Sequence, residues 1–139
     1  MDNERIKDKI SEIEEYLSEL ESIKPNSFEE YKNDIKEKAA CERYFEKIIE
    51  AAIDLGYMVI RSSPYPVPKD DGDLFNTLRE NNIIGSTLCI KLKEAKGMRN
   101  FISHQYGRID DELVFESIMN EMPEDIKAFI RACKTKANI

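Results

Sequence analysis

The 139-residue chain has no tryptophan, a single histidine, and only five glycines and five prolines. Scarce glycine and proline exclude collagen-like and low-complexity chains, and a hydrophobic content of 41% argues against disorder along the whole length. The length gives room for one core but not for a second full domain. We therefore expect a single globular domain spanning residues 1–139.

Cysteine is also scarce, and its spacing is informative. Cys41, Cys89 and Cys133 are odd in number, lie far apart and include no C-x-x-C pair. This pattern argues against both a disulfide framework and a zinc site. The chain is thus predicted to carry buried, reduced thiols, to hold no metal and to reside in the cytoplasm.

Long apolar runs are missing as well. No stretch approaches the ~18 apolar residues that cross a bilayer. The first ten residues, MDNERIKDKI, lack the basic start and apolar run of a signal peptide. No membrane association is expected.

The formal net charge is −7, and the charge is unevenly distributed. Residues 1–30 contain ten acidic and four basic side chains, whereas residues 88–108 contain five basic side chains and one acidic one. The five are Lys91, Lys93, Lys96, Arg99 and Arg108. An anion such as a phosphate therefore has a possible binding region in the second segment, despite the overall charge.

Apolar residues repeat at helical spacing through most of the chain. Ile6, Ile10, Ile13, Leu17 and Leu20 predict a first helix that ends near Lys24-Pro25. A capping pattern at Ser27 and Glu30 predicts a long second helix, which continues as the central core helix through residues 41–60.

The remaining segments also favour helices. Alternating prolines in residues 62–72 predict an extended connector, followed by a short helix over 73–82 and a long one over 82–106. Two further helices are expected, one from Asp110 and one begun by Pro123. With no convincing strand signal, the predicted fold is all-α: an up-and-down bundle of five or six helices.

The segment GMRNFISHQY, residues 97–106, contains the only histidine. On a helix, Arg99, Asn100, Ser103 and His104 occupy one arc, opposite Phe101, Met98, Ile102 and Tyr106. Arginine can neutralise charge on a phosphate, and histidine can move a proton near neutral pH. Since RNA supplies its own nucleophile, the 2′-hydroxyl, such a site needs no metal. A solvated helix face with no chemical role is the alternative for the same residues.

The motif Arg99-Asn100-Phe101-Ile102-Ser103-His104-x-Tyr106, followed by GRIDDELVF, resembles the HEPN-domain family, specifically its HepT-like ribonuclease toxins. The segments ERYFEKIIEAAIDLGYMVI and LFNTLRENNIIGSTLCIKLKEAKGMRN are similar to that family's long helix and to the approach to its motif. The resemblance implies a HEPN-like helical bundle that dimerises with the motif helices at a shared cleft. It also implies a metal-independent endoribonuclease, acting on tRNA in characterised relatives, with Arg99 and His104 catalytic and Asn100 and Ser103 supporting them.

The same resemblance implies a partner. In such toxin–antitoxin pairs a MntA-like nucleotidyltransferase antitoxin silences the toxin by transferring AMP to the motif tyrosine, here Tyr106, and a larger hetero-oligomer is possible. Added negative charge there would repel an RNA phosphate from Arg99. Two other hypotheses stay open: a non-catalytic helical subunit that binds nucleotide or phosphate beside a nucleotidyltransferase, and a plain interaction bundle.

Overall fold

A computed structural model describes residues 2–61, 64–104 and 110–139 of the chain. Its helices are α1 (Asn3–Ile23), α2 (Phe28–Asn33), α3 (Ile35–Arg61), α4 (Asp71–Glu80), α5 (Ser86–His104), α6 (Asp111–Glu116) and α7 (Met122–Ala137). A π-helical turn, Ser117–Glu121, joins α6 and α7 into one continuous helix. The described residues therefore form six helices and no strand, which confirms the predicted all-α bundle.

The long helix α3 is the centre of the bundle and contacts α1, α2, α4, α5 and α7. Its second half is buried on nearly every side, as expected of a helix surrounded by others. Helix α1 packs along α3 through the predicted apolar stripe, in which Ile6, Ile10, Ile13 and Leu20 are buried and Leu17 is half-buried. The first helix is thus confirmed, including its end before Pro25.

The prediction of one long helix from Ser27 was wrong, because the helix breaks at Asp34. Ser27 does cap α2, accepting a hydrogen bond from the Glu30 amide at 3.2 Å. Asp34 adopts an extended conformation, and its carboxylate accepts the amides of Lys36 and Glu37 at 3.0 and 3.2 Å. These bonds satisfy the first amides of α3, so they favour the start of a new helix over the continuation of α2.

The other predicted elements agree with the structure where it is described. The proline-rich connector is non-helical at residues 64–70, and α4 and α5 cover the predicted short and long helices. Helix α4 approaches α3 at Gly56, where a β-carbon would lie 2.9 Å from Leu74 Cδ2. All three cysteines are buried free thiols, as predicted, and burial raises the pKa of Cys41 to about 11 and that of Cys133 to about 12. None of the described helices is long and apolar enough to cross a membrane.

The predicted boundary between the last two helices is a change of helix type rather than a break. Pro123 lies in the first turn of α7, where it has no amide to donate to the preceding turn. The π-helical turn lies directly before it, and its wider spacing accommodates a ring that would clash in a regular α-helix. The axis therefore continues from α6 into α7.

Tyr31 on α2 is fully buried against Phe28 and Phe115, and its hydroxyl has no hydrogen-bond partner among the described residues. A buried hydroxyl without a partner costs free energy, so we expect Tyr31→Phe to raise the free energy of unfolding by about 1 kcal/mol. Urea denaturation at neutral pH measures this change. An equal loss of stability would instead mean that the hydroxyl has a favourable partner.

The effect of Tyr31→Phe on stability also depends on pH. Burial raises the pKa of Tyr31 above its ordinary value, whereas in the unfolded chain the phenol titrates near ~10. The unfolded state therefore loses its proton first, and this contribution to stability falls as pH rises above ~10. We expect Tyr31→Phe to lose less stability than the wild type between pH 9 and about 11.

Candidate active site on helix α5

Helix α5 places Arg99 against the central helix α3. The side chain is only 20% exposed, and its Nη1 lies 3.9 Å from Oε1 of Glu50, a residue of α3 that is 48% exposed. Its Nη2 donates a 2.9 Å hydrogen bond to Oδ1 of the neighbouring Asn100. Arg99 is therefore held from two sides, unlike a solvated surface arginine.

The guanidinium of Arg99 keeps unused hydrogen-bonding capacity. Its Nε is buried and has no partner among the described residues. Among the described residues, the Asn100 bond uses one of the five N–H donors of the guanidinium, and the contact with Glu50 is longer than a hydrogen bond. The side chain is thus positioned by Asn100 and Glu50 without using all of its donors on them.

His104 is the last residue of α5, so its main chain continues the helix that carries Arg99. Five residues of α-helix separate the two positions by about 7.5 Å along the axis and by about 140° around it. The side chains of Ser103 and His104 lie outside the described part of the chain, as does the whole of Tyr106. Helix geometry alone does not bring positions 99 and 104 to one face of a single protomer.

Among the described residues of this segment, Lys91 faces a different side of α5 from Arg99 and has acidic neighbours. Lys91 lines a cavity together with Glu121 and Asp125, so acidic residues surround it. Burial raises the pKa of Asp125, and Lys91 opposes that rise. Lys96 lies on another side of α5, near Gly72 at the start of α4. Within the described residues, Arg99 is accordingly the α5 cation that is both sheltered and positioned by polar neighbours.

Glu50 is the residue of this arrangement that the sequence did not predict as part of the site. Among residues 48–53 it alone is exposed, and the others are buried. A single carboxylate inside such an apolar run is the sequence signal that could have indicated Glu50. Its contact with Arg99 could not be predicted, because it depends on how α3 and α5 pack. Asn100 was predicted as a supporting residue, and the structure places it in contact with Arg99.

Comparison with known proteins gives three informative relatives. The chain is 25% identical over 134 residues to the mRNA nuclease HepT of Shewanella oneidensis, covering 96% of this chain and 99% of the relative. It is 25% identical over 113 residues to the tRNA nuclease HepT of Aphanizomenon flos-aquae, covering 81% and 77%. Among solved structures, a tri-AMPylated Shewanella oneidensis HEPN toxin in complex with an MNT antitoxin superposes with a TM-score of 0.86 at 25% identity, covering 94% of this chain and 96% of that one.

The family model described as "Ribonuclease HepT-like" matches residues 13–133. This match covers α2 to α6 completely, including α5 with Arg99 and His104, and parts of α1 and α7. It confirms the resemblance drawn from the motif and from the long helices, together with the class of enzyme that the resemblance implied. The chain therefore belongs to the HepT-like ribonuclease family.

Proposed function

We propose that this protein is a metal-independent endoribonuclease toxin of a toxin–antitoxin pair, active in the cytoplasm as a homodimer. The observation that carries the proposal is Arg99, held by Asn100 and Glu50 on the helix that ends at the only histidine. In the proposed reaction the 2′-hydroxyl of RNA attacks the adjacent phosphorus, and the 5′-oxygen leaves. Arg99 stabilises the charge on the phosphate, and His104 transfers protons.

A dimer would explain how positions 99 and 104, which lie on different sides of one helix, can act on the same phosphate. If two α5 helices face each other, Arg99 of one copy and His104 of the other can border one cleft, and two histidines can act as acid and base. Relatives named as nucleases of mRNA and of tRNA support RNA as the substrate. We expect tRNA to be cleaved, and a direct comparison with an mRNA tests this choice.

Helix α5 has a surface suited to this contact. Ile90, Phe101 and, from α6, Leu113 are each more than half exposed. Gly97 lies between Ile90 and Phe101 in the sequence of the helix, and a β-carbon added there would have no atom of another described segment within 4 Å. A glycine that no internal contact requires costs a helix about 1 kcal/mol relative to alanine, but it permits close approach of another helix. We infer that this face, named here the α5 stripe, is the dimer contact. It lies within about 60° of position 104 around the helix, so it would bring the two histidines together, whereas Arg99, on the opposite side of α5, would border the cleft from its edge.

Gly97→Leu tests the dimer contact. A β-carbon at this position meets no other described segment, whereas a leucine side chain would block the approach of a second α5, so we expect a folded monomer that cleaves RNA poorly. Sedimentation velocity reports the mass, and gel analysis of a tRNA and of an mRNA in the presence of EDTA reports cleavage. Gly97→Ala is the matched control. A monomeric variant with full cleavage would contradict the shared cleft.

Asn100→Ala tests how Arg99 is positioned. Loss of a hydrogen bond to a charged group is worth roughly 1.4 kcal/mol, so we expect RNA cleavage to fall about tenfold without loss of folding. Glu50→Gln is the comparison, because a half-exposed ion pair at 3.9 Å contributes at most ~1 kcal/mol. Single-turnover rates measure both variants. A larger loss in Glu50→Gln than in Asn100→Ala would reverse this ranking.

The proposed antitoxin is a MntA-like nucleotidyltransferase that modifies Tyr106. The Tyr106 oxygen would bond to the α-phosphorus of ATP, and pyrophosphate would leave. A neighbouring structure of an AMPylated HEPN toxin with an MNT antitoxin supports this regulation. Co-expression with the neighbouring reading frame, followed by intact-mass and peptide analysis, should find adenylyl groups, with the first on Tyr106. Tyr106→Phe should remove that modification but retain cleavage. Modification confined to other residues would contradict the assignment.

A further inference from the structure

A groove lies between α1 and α7. Its volume is about 750 Å³, and its floor is apolar, with Leu17 and Leu20 from α1, Ile118 and Met119 from the π-helical turn, and Ile130 from α7. Helices α1 and α7 contact each other less than α1 contacts α3. The volume is in the range of binding pockets, and no described element fills it.

The walls of this α1–α7 groove are mainly positive. Lys24, Lys127, Arg131 and Lys134 line it, against the two carboxylates Glu14 and Glu21. Lys127 has a loose ion pair with the exposed Glu124 at 3.8 Å, whereas Arg131 and Lys134 form no ion pair with another described residue. On a chain of net charge −7, this is an unusual concentration of basic side chains.

A second surface has the complementary character. The acidic patch, at the α2–α3 junction, is a shallow concavity lined by four carboxylates: Glu29, Glu30, Asp34 and Glu37. Partial burial, with the carboxylates of Asp34 and Glu30 nearby, raises the pKa of Glu37. Ile35 does not line the concavity, but it directly follows Asp34 in the chain and is 82% exposed. An exposed apolar side chain next to acidic residues complements an apolar floor bordered by basic ones.

The two surfaces are complementary in charge. Lys127, Arg131 and Lys134 of the groove follow one another at steps of four and three on the continuous helix α7, so they share one face of it. The carboxylates of the patch lie on both sides of the helix break at Asp34. No ion pair joins these basic residues to the patch among the described residues. We propose that the acidic patch and Ile35 of one copy of this chain bind in the α1–α7 groove of another copy.

Other occupants fit this groove less well. An RNA backbone would meet the carboxylates Glu14 and Glu21 and an apolar floor that offers it no hydrogen bonds. The proposed contact uses neither Arg99 nor the α5 stripe, so it goes beyond the proposed function and is compatible with the α5 dimer. Together the two contacts link dimers into larger assemblies, at high protein concentration and low salt.

A reciprocal charge exchange tests the contact. Sedimentation velocity of the wild-type chain should give a mass that rises above that of a dimer with concentration and falls with salt. The groove variant Lys127→Glu/Arg131→Glu and the patch variant Glu29→Lys/Glu37→Lys should each weaken this association at least tenfold. Their mixture should restore it, because the acidic groove of one variant then faces the basic patch of the other. Arg5→Glu/Lys7→Glu, at the start of α1, has the same charge change as the groove variant and is its control.

Several results would overturn the proposal. These are a wild-type mass that never exceeds a dimer, single variants that associate like the wild type, or a mixture that associates no better than either variant. We expect both variants to cleave RNA within about twofold of the wild type. Unchanged mass with weaker RNA cleavage would assign the groove to RNA, and unchanged mass with weaker binding of the co-expressed nucleotidyltransferase would assign it to the antitoxin. Failure of the proposed function can be distinguished from failure of this contact, because in that case the wild-type protein itself would not cleave RNA.

Discussion

We expect His104→Ala to lower the rate of RNA cleavage by about 10²–10⁴-fold, the usual contribution of a general acid or base. His104 is the only histidine, so nothing else in the chain supplies an imidazole. The substitution removes a side chain at the last residue of α5 and should leave the bundle folded. Single-turnover cleavage of a tRNA, with circular dichroism and thermal unfolding of the same samples, measures both effects.

We also expect Arg99→Ala to lower the rate of RNA cleavage strongly. Loss of a donor that stabilises charge in the transition state typically costs about 10²–10³-fold, so Arg99→Ala should fall in that range. Arg99→Lys should recover little of this loss, because an ammonium lacks the planar donor fork that Asn100 now holds. Lys93→Ala, which removes a cation from the same helix, is the matched control. Full activity of the Arg99→Ala/His104→Ala double variant in a cell-growth assay would favour the interpretation of a plain interaction bundle, whereas full RNA cleavage by that variant would assign the chemistry to other residues.

The second large effect concerns stability. Phe129 on α7 is completely buried, and its ring packs edge-on against Phe75 of α4, with centroids 6.2 Å apart. Phe129→Ala removes that contact and leaves a cavity, so we expect the free energy of unfolding to fall by about 3–5 kcal/mol. For a chain of this size the melting temperature should fall by roughly 10–20 °C.

Urea denaturation with a fitted slope separates this loss from a change in the unfolded state. Val67→Ala is the control, because Val67 in the connector is 85% exposed and should change stability by less than ~0.5 kcal/mol. A loss below about 1 kcal/mol in Phe129→Ala would mean that α7 is not packed into the core as described. Because α7 also forms one wall of the α1–α7 groove, Phe129→Ala is suited to measuring the stability of the fold but not the association of chains.

Helical periodicity was sufficient to predict most of the fold. The stripe of α1 and the caps at Ser27 and Asp110 are local features, and they have the predicted effect. The break at Asp34 was missed because the apolar spacing continues across it, with no glycine or proline to interrupt it. Asn33 and Asp34, two residues that favour caps over helix interiors, were the available local signal.

The candidate site was only partly predictable for a different reason. The residue types at positions 99, 100 and 104 indicate phosphate chemistry wherever the helix lies. The contact between Arg99 and Glu50 depends on how α5 packs on α3, which no spacing along one helix encodes. Likewise, Lys91, Lys93 and Lys96 are neighbours in sequence, but a helix distributes neighbours around its axis. Of these three lysines, Lys91 lies farthest around the helix from Lys93, so a count along the chain does not show which of them share a face with Arg99.

The π-helical turn before Pro123 has a consequence for the length of the chain. A π-helical turn contains one residue more than the α-helical turn that it replaces. Elsewhere in a helix, loss of one residue would turn every later side chain by about 100° and remove α7 from the core. Between Ser117 and Glu121 a deletion would instead restore regular α-helix and keep Ile126 and Phe129 facing inward. Pro123 would then clash with the tightened turn. The proline and the additional residue are therefore coupled, and a chain of this fold can lose both together more easily than either alone.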